Sequence, residues 1–162
     1  MMIKKSYLIT SITAIMVLLC IAIVIINPFT KDIWELNSKS LKKQVLLVNQ
    51  ANEPINLSNL TPFEWDAVYS FAPYIPKENI YKVVGYKWDN ISETLSEGMS
   101  QIVFTKSGKV VCYLYGFPSN NGYGILFDSI DYKDGVAILY SKDNLHFRVT
   151  KSDGIIYLKY IK

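Results

Sequence analysis

The sequence predicts an α+β domain that follows a hydrophobic N-terminal helix. Three observations lead to this class: a long uncharged stretch near the start, a series of short alternating segments separated by turn residues, and only one or two segments with helical periodicity. The 162 residues have room for one ordinary domain and an appendage. We expect an anchor over residues 1–27, a helix or linker over 28–58, and a folded domain over 59–162.

Composition excludes several classes of function. The formal net charge of +3 is too small for the clearly basic face that nucleic-acid binding needs. One histidine and two cysteines are too few for most zinc, haem or iron–sulfur sites, so we expect no cofactor and no metal. A hydrophobic fraction of 50% provides enough apolar surface for a packed core, which excludes intrinsic disorder.

The first element is an apolar segment over residues 7–26, and it is the strongest signal in the chain. No charged side chain lies between Lys5 and Lys31. A helix rises about 1.5 Å per residue, so this segment matches the roughly 30 Å hydrocarbon core of a bilayer. All its backbone groups are then satisfied within the helix, as lipid requires. We therefore predict that residues 7–26 span the membrane and contact lipid.

Two other interpretations of this segment fit less well. A cleaved signal peptide has a shorter apolar core and a small-x-small cleavage site, which Cys20-Ile21-Ala22 matches poorly. A lipoprotein needs a small residue directly before its cysteine, where this chain has Leu19. Long domains that follow such a helix are translocated largely regardless of the flanking charges. We expect an uncleaved anchor in the cell membrane, with the C-terminal domain outside the cytoplasm.

Helical spacing recurs in residues 31–50. The apolar residues at helical intervals are Trp34, Leu41, Val45 and Val48. This spacing favours a helix that leads away from the membrane. The alternative for its first half is a flexible linker, because that half contains three small polar residues, Asn37, Ser38 and Ser40.

Residues 61–72 contain two conflicting patterns. Thr61, Pro62 and Glu64 are typical of a helix start, as an N-cap, a first-turn proline and an acid at the third position. From residue 63 onward, however, aromatic residues recur at every second position with one interruption, and the segment stops at Pro73. Only a strand places all four aromatics on one face: Phe63, Trp65, Tyr69 and Phe71. We therefore expect a strand.

The remaining elements are a short helix and a series of strands. The segment from Pro76 to Val84 is predicted to be a helix, because it has Glu78 in its first turn and Gly85 just after its last turn. The later alternating segments are Ser100–Thr105, Lys109–Tyr115, Tyr123–Phe127, Val136–Tyr140, Leu145–Thr150 and Ile155–Tyr160. Their short links favour neighbouring antiparallel strands. The expected architecture is an antiparallel meander of about six strands with one or two packed helices.

Four side chains are considered for catalysis. Glu64 and Asp66, two apart on the expected strand, would project from one face about 6.5–7 Å apart, a spacing that suits acid–base chemistry or a shared Ca²⁺. Solvated acids on a wet strand face are the simpler interpretation. His146 is the only imidazole, but it shares the outer face of its strand with Arg148 and has no nucleophile motif beside it. Cys112 alternates with apolar residues and is expected to be a buried small hydrophobe.

Two groups of residues are candidates for recognition. The glycine-rich loop over 116–124 carries Phe117 and Tyr123 and is either a recognition tip or a plain connection. Aromatic residues also concentrate around the short helix, at Tyr74, Tyr81, Tyr86 and Trp88. Aromatics in such numbers either anchor an interface or complete a small core.

The segment from Phe63 to Tyr74 has the form F-x-W-D-x-V-Y-x-F-x-P-Y. This phrase resembles one in a group of small exported or membrane-anchored bacterial proteins, in which it follows an N-terminal anchor or a lipobox. The resemblance implies an envelope location and nothing catalytic. It directs attention to four positions, Trp65, Asp66, Pro73 and Tyr74. The lipobox is missing from this chain.

From these observations we expect a membrane-tethered binding module outside the cytoplasm, acting as an envelope accessory, an inhibitor or an immunity-type protein, without a catalytic site. Its candidate binding residues are Trp65, Asp66, Tyr74 and Trp88. Its expected partners are membrane lipid, through residues 7–26, and a protein or envelope component, with no nucleic acid. The alternatives are a membrane-anchored hydrolase that uses Glu64 and Asp66, and a small accessory subunit of a membrane complex.

Overall fold

The computed structural model describes residues 15–17, 32–48 and 53–162. The chain divides into two compact units, Met1–Lys31 and Asp32–Lys162. In the first unit, the described residues 15–17 are helical and exposed. The rest of the predicted anchor over 7–26 lies outside the described residues. Among those that are described, we found no helix with both the length and the apolar character needed to cross a bilayer.

The second unit is an α+β domain, as the sequence predicted. Within the described ranges its helices are α1 (Ile33–Leu47), α2 (Leu57–Leu60), α3 (Lys77–Val84) and α4 (Pro118–Asn121). Its strands are β1 (Ile55–Asn56), β2 (Ala67–Phe71), β3 (Ser100–Lys106), β4 (Lys109–Gly116), β5 (Tyr123–Leu126), β6 (Val136–Tyr140), β7 (His146–Ser152) and β8 (Ile155–Tyr160).

The strands form two four-stranded sheets, so the predicted single meander is wrong. The β7 sheet has the order β1-β7-β8-β5, and the β2 sheet has the order β4-β3-β2-β6. The hairpins β3–β4 and β7–β8 follow from their short links, as expected. In contrast, β2 lies between β3 and β6, and β5 pairs with β8 in parallel. A short link limits where the next strand begins, but it does not decide which sheet that strand joins.

The prediction of one strand over residues 61–72 is correct only for β2. Thr61 closes α2 instead of opening a new element, because its backbone N–H donates to the Leu57 carbonyl at 3.0 Å. The four aromatics do not share a face either. Phe63 and Trp65 pack in one hydrophobic cluster, whereas Tyr69 and Phe71 pack in another. The physical reason is that the chain bends at residues 62, 63 and 66, so Phe63 and Trp65 do not continue the alternation of β2, which is itself a central strand buried on both sides.

Both predicted helices are present, and both pack on the domain. Leu41 and Val45 of α1 are fully buried, and the Asn37 side chain donates from Nδ2 to the Val111 carbonyl at 2.8 Å. The helix expected to lead away from the membrane is thus part of the folded unit. Helix α3 begins after Pro76 and ends at Gly85, whose φ of 93° is the left-handed conformation that favours glycine.

The core has two parts, separated by the β2 sheet. Between the two sheets lies a large cluster that includes Phe104, Phe147 and Leu158 together with the buried side of α1. On the opposite face of the β2 sheet lies a smaller cluster, which α3 and the segment after it cover with Ile80 and Ile91. The domain is therefore layered, with the β2 sheet in the middle.

Candidate functional site

Trp65, the first predicted binding residue, is a core residue. It is 4% exposed, and its ring meets that of Phe104 edge to face with 5.3 Å between centroids. Its indole Nε1–H donates to the Thr61 hydroxyl at 2.8 Å. A buried indole whose N–H is hydrogen-bonded contributes mainly to folding, although Trp65 also lines a shallow surface cavity with Phe63 and Lys106. The role of Trp65 as a binding residue stays a prediction.

Asp66 hydrogen-bonds to two residues of the turn between β3 and β4. Its carboxylate accepts the Ser107 backbone N–H at 2.6 Å and the Lys106 ammonium at 3.0 Å. These two interactions, the backbone hydrogen bond first, lower the pKa of Asp66 from its ordinary value. The Glu64 carboxylate lies 3.6 Å from the same Lys106 nitrogen. Both acids directly precede β2 and do not lie within it, and their two carboxylates meet the same Lys106 ammonium.

Tyr74 has an exposed side chain and an unusual backbone. Its side chain is 57% exposed, and its φ of 66° lies in the left-handed region, which is uncommon for a bulky residue. The Tyr74 N–H donates to Thr94, to the carbonyl oxygen at 3.2 Å and to the hydroxyl at 3.1 Å. Thr94 is fully buried. The backbone of Tyr74 is therefore held by hydrogen bonds to the segment around Thr94.

Trp88 belongs to an aromatic cluster on the outer face of the β2 sheet. Its ring meets Trp34 at 5.4 Å and Tyr113 at 5.3 Å, both edge to face. The Tyr86 hydroxyl accepts the Val110 backbone N–H at 2.9 Å. Three of the aromatics around α3, Tyr81, Tyr86 and Trp88, thus complete the smaller core cluster. Trp88 also touches two residues that line a cavity described below.

The remaining predicted residues divide between the core, where Cys112 and Tyr123 share one cluster, and the surface. Cys112 is fully buried, and burial raises the pKa of its thiol. His146 is exposed on β7. Tyr123 lies in the core at 3% exposure, whereas Phe117 is 36% exposed before α4. Among the described side chains, no three His, Cys, Asp or Glu residues gather in a way that could hold a metal ion.

A polar network holds Tyr113 in the smaller core cluster. Its hydroxyl accepts from the Ser92 backbone N–H and from Gln101 Nε2, each at 3.2 Å. Burial raises the pKa of Tyr113 to about 12, so the hydroxyl stays protonated. Gln101 is fully buried, and its Oε1 atom has no hydrogen-bond partner in the described part of the chain.

A cavity of about 310 Å³ lies between α1 and β4, and we name it the α1–β4 cavity. Its aromatic lining residues are Trp34, Tyr113, Tyr115 and Tyr123. Its polar lining residues are Ser38, Lys39, Lys42 and Asn121. Sequence reasoning missed this site, although the i, i+4, i+8 spacing of Trp34, Ser38 and Lys42 places them on one helix face.

A larger groove of about 590 Å³ runs beside β6, and we name it the β6 groove. It is bounded by β6 itself, by α3 through Lys82 and Val83, and by the turn that precedes β6 through Ile130, Asp131 and Lys133. Val83 packs with the smaller cluster and Ile130 with the cluster between the sheets. The groove therefore lies at the edge of the β2 sheet and not on one of its faces.

The backbone of β6 is open at the centre of this edge. The Gly135 carbonyl accepts from the Ala72 N–H at 2.8 Å, and the Ser141 N–H donates to the Asp66 carbonyl at 3.0 Å. The backbone N–H and carbonyl groups of the odd-numbered residues of β6 therefore point toward β2. The backbone N–H and carbonyl groups of the even-numbered residues point away from β2. Val136 exchanges both hydrogen bonds with Lys133, and the Tyr140 carbonyl accepts from Asp143. Ile138 has no outward partner among the residues that the structure describes.

The opposite edge of the same sheet is covered. Three side chains from different elements satisfy backbone groups of β4. Asn37 donates to the Val111 carbonyl at 2.8 Å, and Asn121 donates to the Tyr115 carbonyl at 3.2 Å. The Tyr86 hydroxyl accepts the Val110 N–H. The β2 sheet thus has one protected edge and one open edge.

These features define an α+β protein of two sheets with an open sheet edge and a separate aromatic and basic cavity. Comparisons with protein families, with curated proteins and with solved structures found no match to this chain.

Proposed function

We propose that this protein is a membrane-tethered binding module whose domain lies outside the cytoplasm and binds a partner protein. The uncharged run over residues 7–26 supports the tether, because its length and composition suit a bilayer span. The resemblance of residues 63–74 to exported bacterial proteins supports the location. The open β6 edge supports the binding function.

The observation that carries the binding function is the exposed backbone of β6. Ile138 presents an N–H and a carbonyl outward, which are the groups that a neighbouring strand would pair. Natural edge strands are usually blunted by lysine, proline or a bulge. The sequence of β6 from Val136 to Tyr140 contains no charged residue and no proline. An edge of this kind is suited to a strand from another chain.

The chemistry of the edge indicates the kind of partner. Addition of an extended segment gives affinity through main-chain hydrogen bonds and specificity through alternate side chains. Ile138 and Tyr140 are 39% and 46% exposed and would flank such a segment. The β6 groove carries both charge signs, through Lys82, Lys133 and Asp131. We therefore propose an extended partner segment with apolar side chains and no large net charge.

A proline at position 138 tests this proposal. Ile138→Pro removes the outward N–H without removing a hydrogen bond to β2, because residue 138 faces away from β2. Tagged full-length protein would be captured from detergent-solubilised membranes of the producing cells. We expect the wild type to recover a protein partner and Ile138→Pro to lose it, whereas Ile138→Thr, which keeps the backbone groups, retains it.

A fold check and a second variant distinguish a lost partner from a misfolded domain. Circular dichroism checks the fold of Ile138→Pro, and Ile138→Lys provides a second variant that blocks the edge by charge while leaving the backbone unchanged. Recovery of the same partner with both variants, or recovery of no partner by the wild type, would overturn the proposal. Cross-linking of the wild type only to a second copy of itself would also overturn it.

A further inference from the structure

We infer that the α1–β4 cavity binds an acidic sugar, a single ring that carries a carboxylate or a phosphate. This inference is independent of the tether and of the β6 edge. The cavity holds about 310 Å³, which is at the small end of ligand sites and suits one ring. It is formed by residues of α1, β4, α4 and β5, which are rigid elements of the domain.

The aromatic lining of the cavity suits a sugar ring. Trp34, Tyr113 and Tyr115 line it together. Their rings are fixed in place, because Trp34 meets Tyr113 edge to face at 6.2 Å and Tyr113 stacks with Tyr115 at 6.0 Å. The face of a sugar ring is rich in C–H groups and is therefore apolar, so it packs favourably on aromatic side chains.

The charges at the cavity select an anion. Lys39 and Lys42 are among its lining residues, and no acidic side chain is. Lys39 lies 3.7 Å from Glu35 on the exposed side of α1, a pair that is weak in water. Lys42 makes no ion pair with any described residue. The Lys42 ammonium, and Lys39 through its weak and exposed pair, favour a carboxylate or phosphate at the cavity by charge-assisted hydrogen bonds.

The uncharged polar groups distinguish a sugar from a simple aromatic acid. The Tyr123 side chain lines the cavity at 3% exposure, and its hydroxyl makes no hydrogen bond to a described residue. Asn121 donates from Nδ2 to the Tyr115 carbonyl, which leaves its Oδ1 atom available as an acceptor. Ser38 adds a hydroxyl. A sugar with several hydroxyls can form hydrogen bonds to these groups, whereas an aromatic acid leaves them without hydrogen-bond partners.

Titration of the full-length protein in detergent micelles tests this inference. The probes are D-glucuronate, glucose 6-phosphate, neutral glucose, benzoate and inorganic phosphate, followed by calorimetry and by tryptophan fluorescence. We expect saturable binding of at least one of the two sugar acids, with glucose, benzoate and phosphate each weaker by roughly tenfold or more, because each lacks one part of the recognised chemistry. The stronger of the two sugar acids identifies the acid group.

The neighbouring lysines provide matched variants. Lys42→Gln removes a charge that lines the cavity, and Lys43→Gln removes an exposed charge that does not. We expect Lys42→Gln to weaken binding by on the order of tenfold and Lys43→Gln to leave it unchanged. Tyr123→Phe should weaken binding several-fold while the fold persists.

Four outcomes would overturn the inference. They are no saturable binding of either sugar acid, equal affinity for neutral glucose, equal affinity for benzoate or inorganic phosphate, and equal effects of Lys42→Gln and Lys43→Gln. The Ile138→Pro variant separates this inference from the proposed function. It should bind the sugar acid as the wild type does, even where it loses the protein partner.

Discussion

At the scale of single residues, hydrogen-bond partners decide the roles that a sequence pattern leaves open. Trp65 and Asp66 are adjacent and both belong to the phrase that resembles exported proteins. Trp65 is buried between the sheets, whereas Asp66 binds the β3–β4 turn from the surface. The sequence predicted neither role, because Phe104 and Ser107 become neighbours of these two residues only through the fold.

Trp65 should matter for stability and Tyr74 should not. Truncation of a buried aromatic leaves a cavity, so Trp65→Ala should lower the free energy of unfolding by about 3–5 kcal/mol. Tyr74→Ala removes an exposed ring and should change it by less than about 0.5 kcal/mol. Urea denaturation followed by circular dichroism measures both values. A Trp65→Ala variant of native stability would show that the indole is not a core residue.

The stabilising contribution of Asp66 should depend on pH. Its folded pKa is below the ordinary value of 3.8, so this contribution is fully present above that value and is lost as the pH falls through the folded pKa. Asp66→Asn should therefore be less stable than the wild type at pH 7, and the difference should shrink below about pH 4. Urea midpoints at pH 7, 5 and 3 measure it, and a difference that does not change with pH would contradict the assignment.

At the scale of elements, local signals were predictable and non-local pairing was not. Pro76 and Gly85 mark the two ends of α3 correctly, because helix caps are set by residues next to them in the chain. The later strands also lie at the segments where apolar and polar residues alternate. The partners of β2 and β5 were not predictable, since β2 is buried on both sides and β5 joins a strand far along the chain.

Helix α1 was predicted as an element, but its attachment to the domain was not. Leu41 is fully buried, and Leu47 on the same helix is 67% exposed. Leu41→Ala should lower the free energy of unfolding by about 2–5 kcal/mol. Leu47→Ala is the matched control and should change it by less than about 0.5 kcal/mol. Equal small effects in denaturant titrations would mean that α1 is a linker outside the core.

At the scale of the whole molecule, both candidate surfaces assemble residues from distant parts of the chain. The α1–β4 cavity joins residues 34–42 to residues 113–123, and the β6 groove joins α3 to residues 130–138. Of the four predicted binding residues, Trp88 lies against the lining of the first, through Trp34 and Tyr113. Sequence reasoning did not find this cavity. Of its aromatic lining, only Tyr123 was a recognition candidate, and Lys39 lies in the half of its helix that could also be a linker.

The proposed placement of the domain predicts how a surface cysteine reacts in living cells. Lys151 is exposed on β7, and Cys112 is buried with a raised pKa, so Cys112 should not react in the folded protein. A Cys20→Ser, Lys151→Cys variant therefore carries one reactive thiol, on the folded domain. Its labelling by a membrane-impermeant maleimide reports on which side of the membrane that domain lies.

That labelling, combined with fractionation, tests the central claim most directly. We expect the variant to remain in the membrane pellet after an alkaline wash and to be labelled in intact cells as fully as in lysed cells. Labelling that requires lysis, or recovery of the full-length chain in the soluble fraction, would contradict a domain tethered outside the cytoplasm.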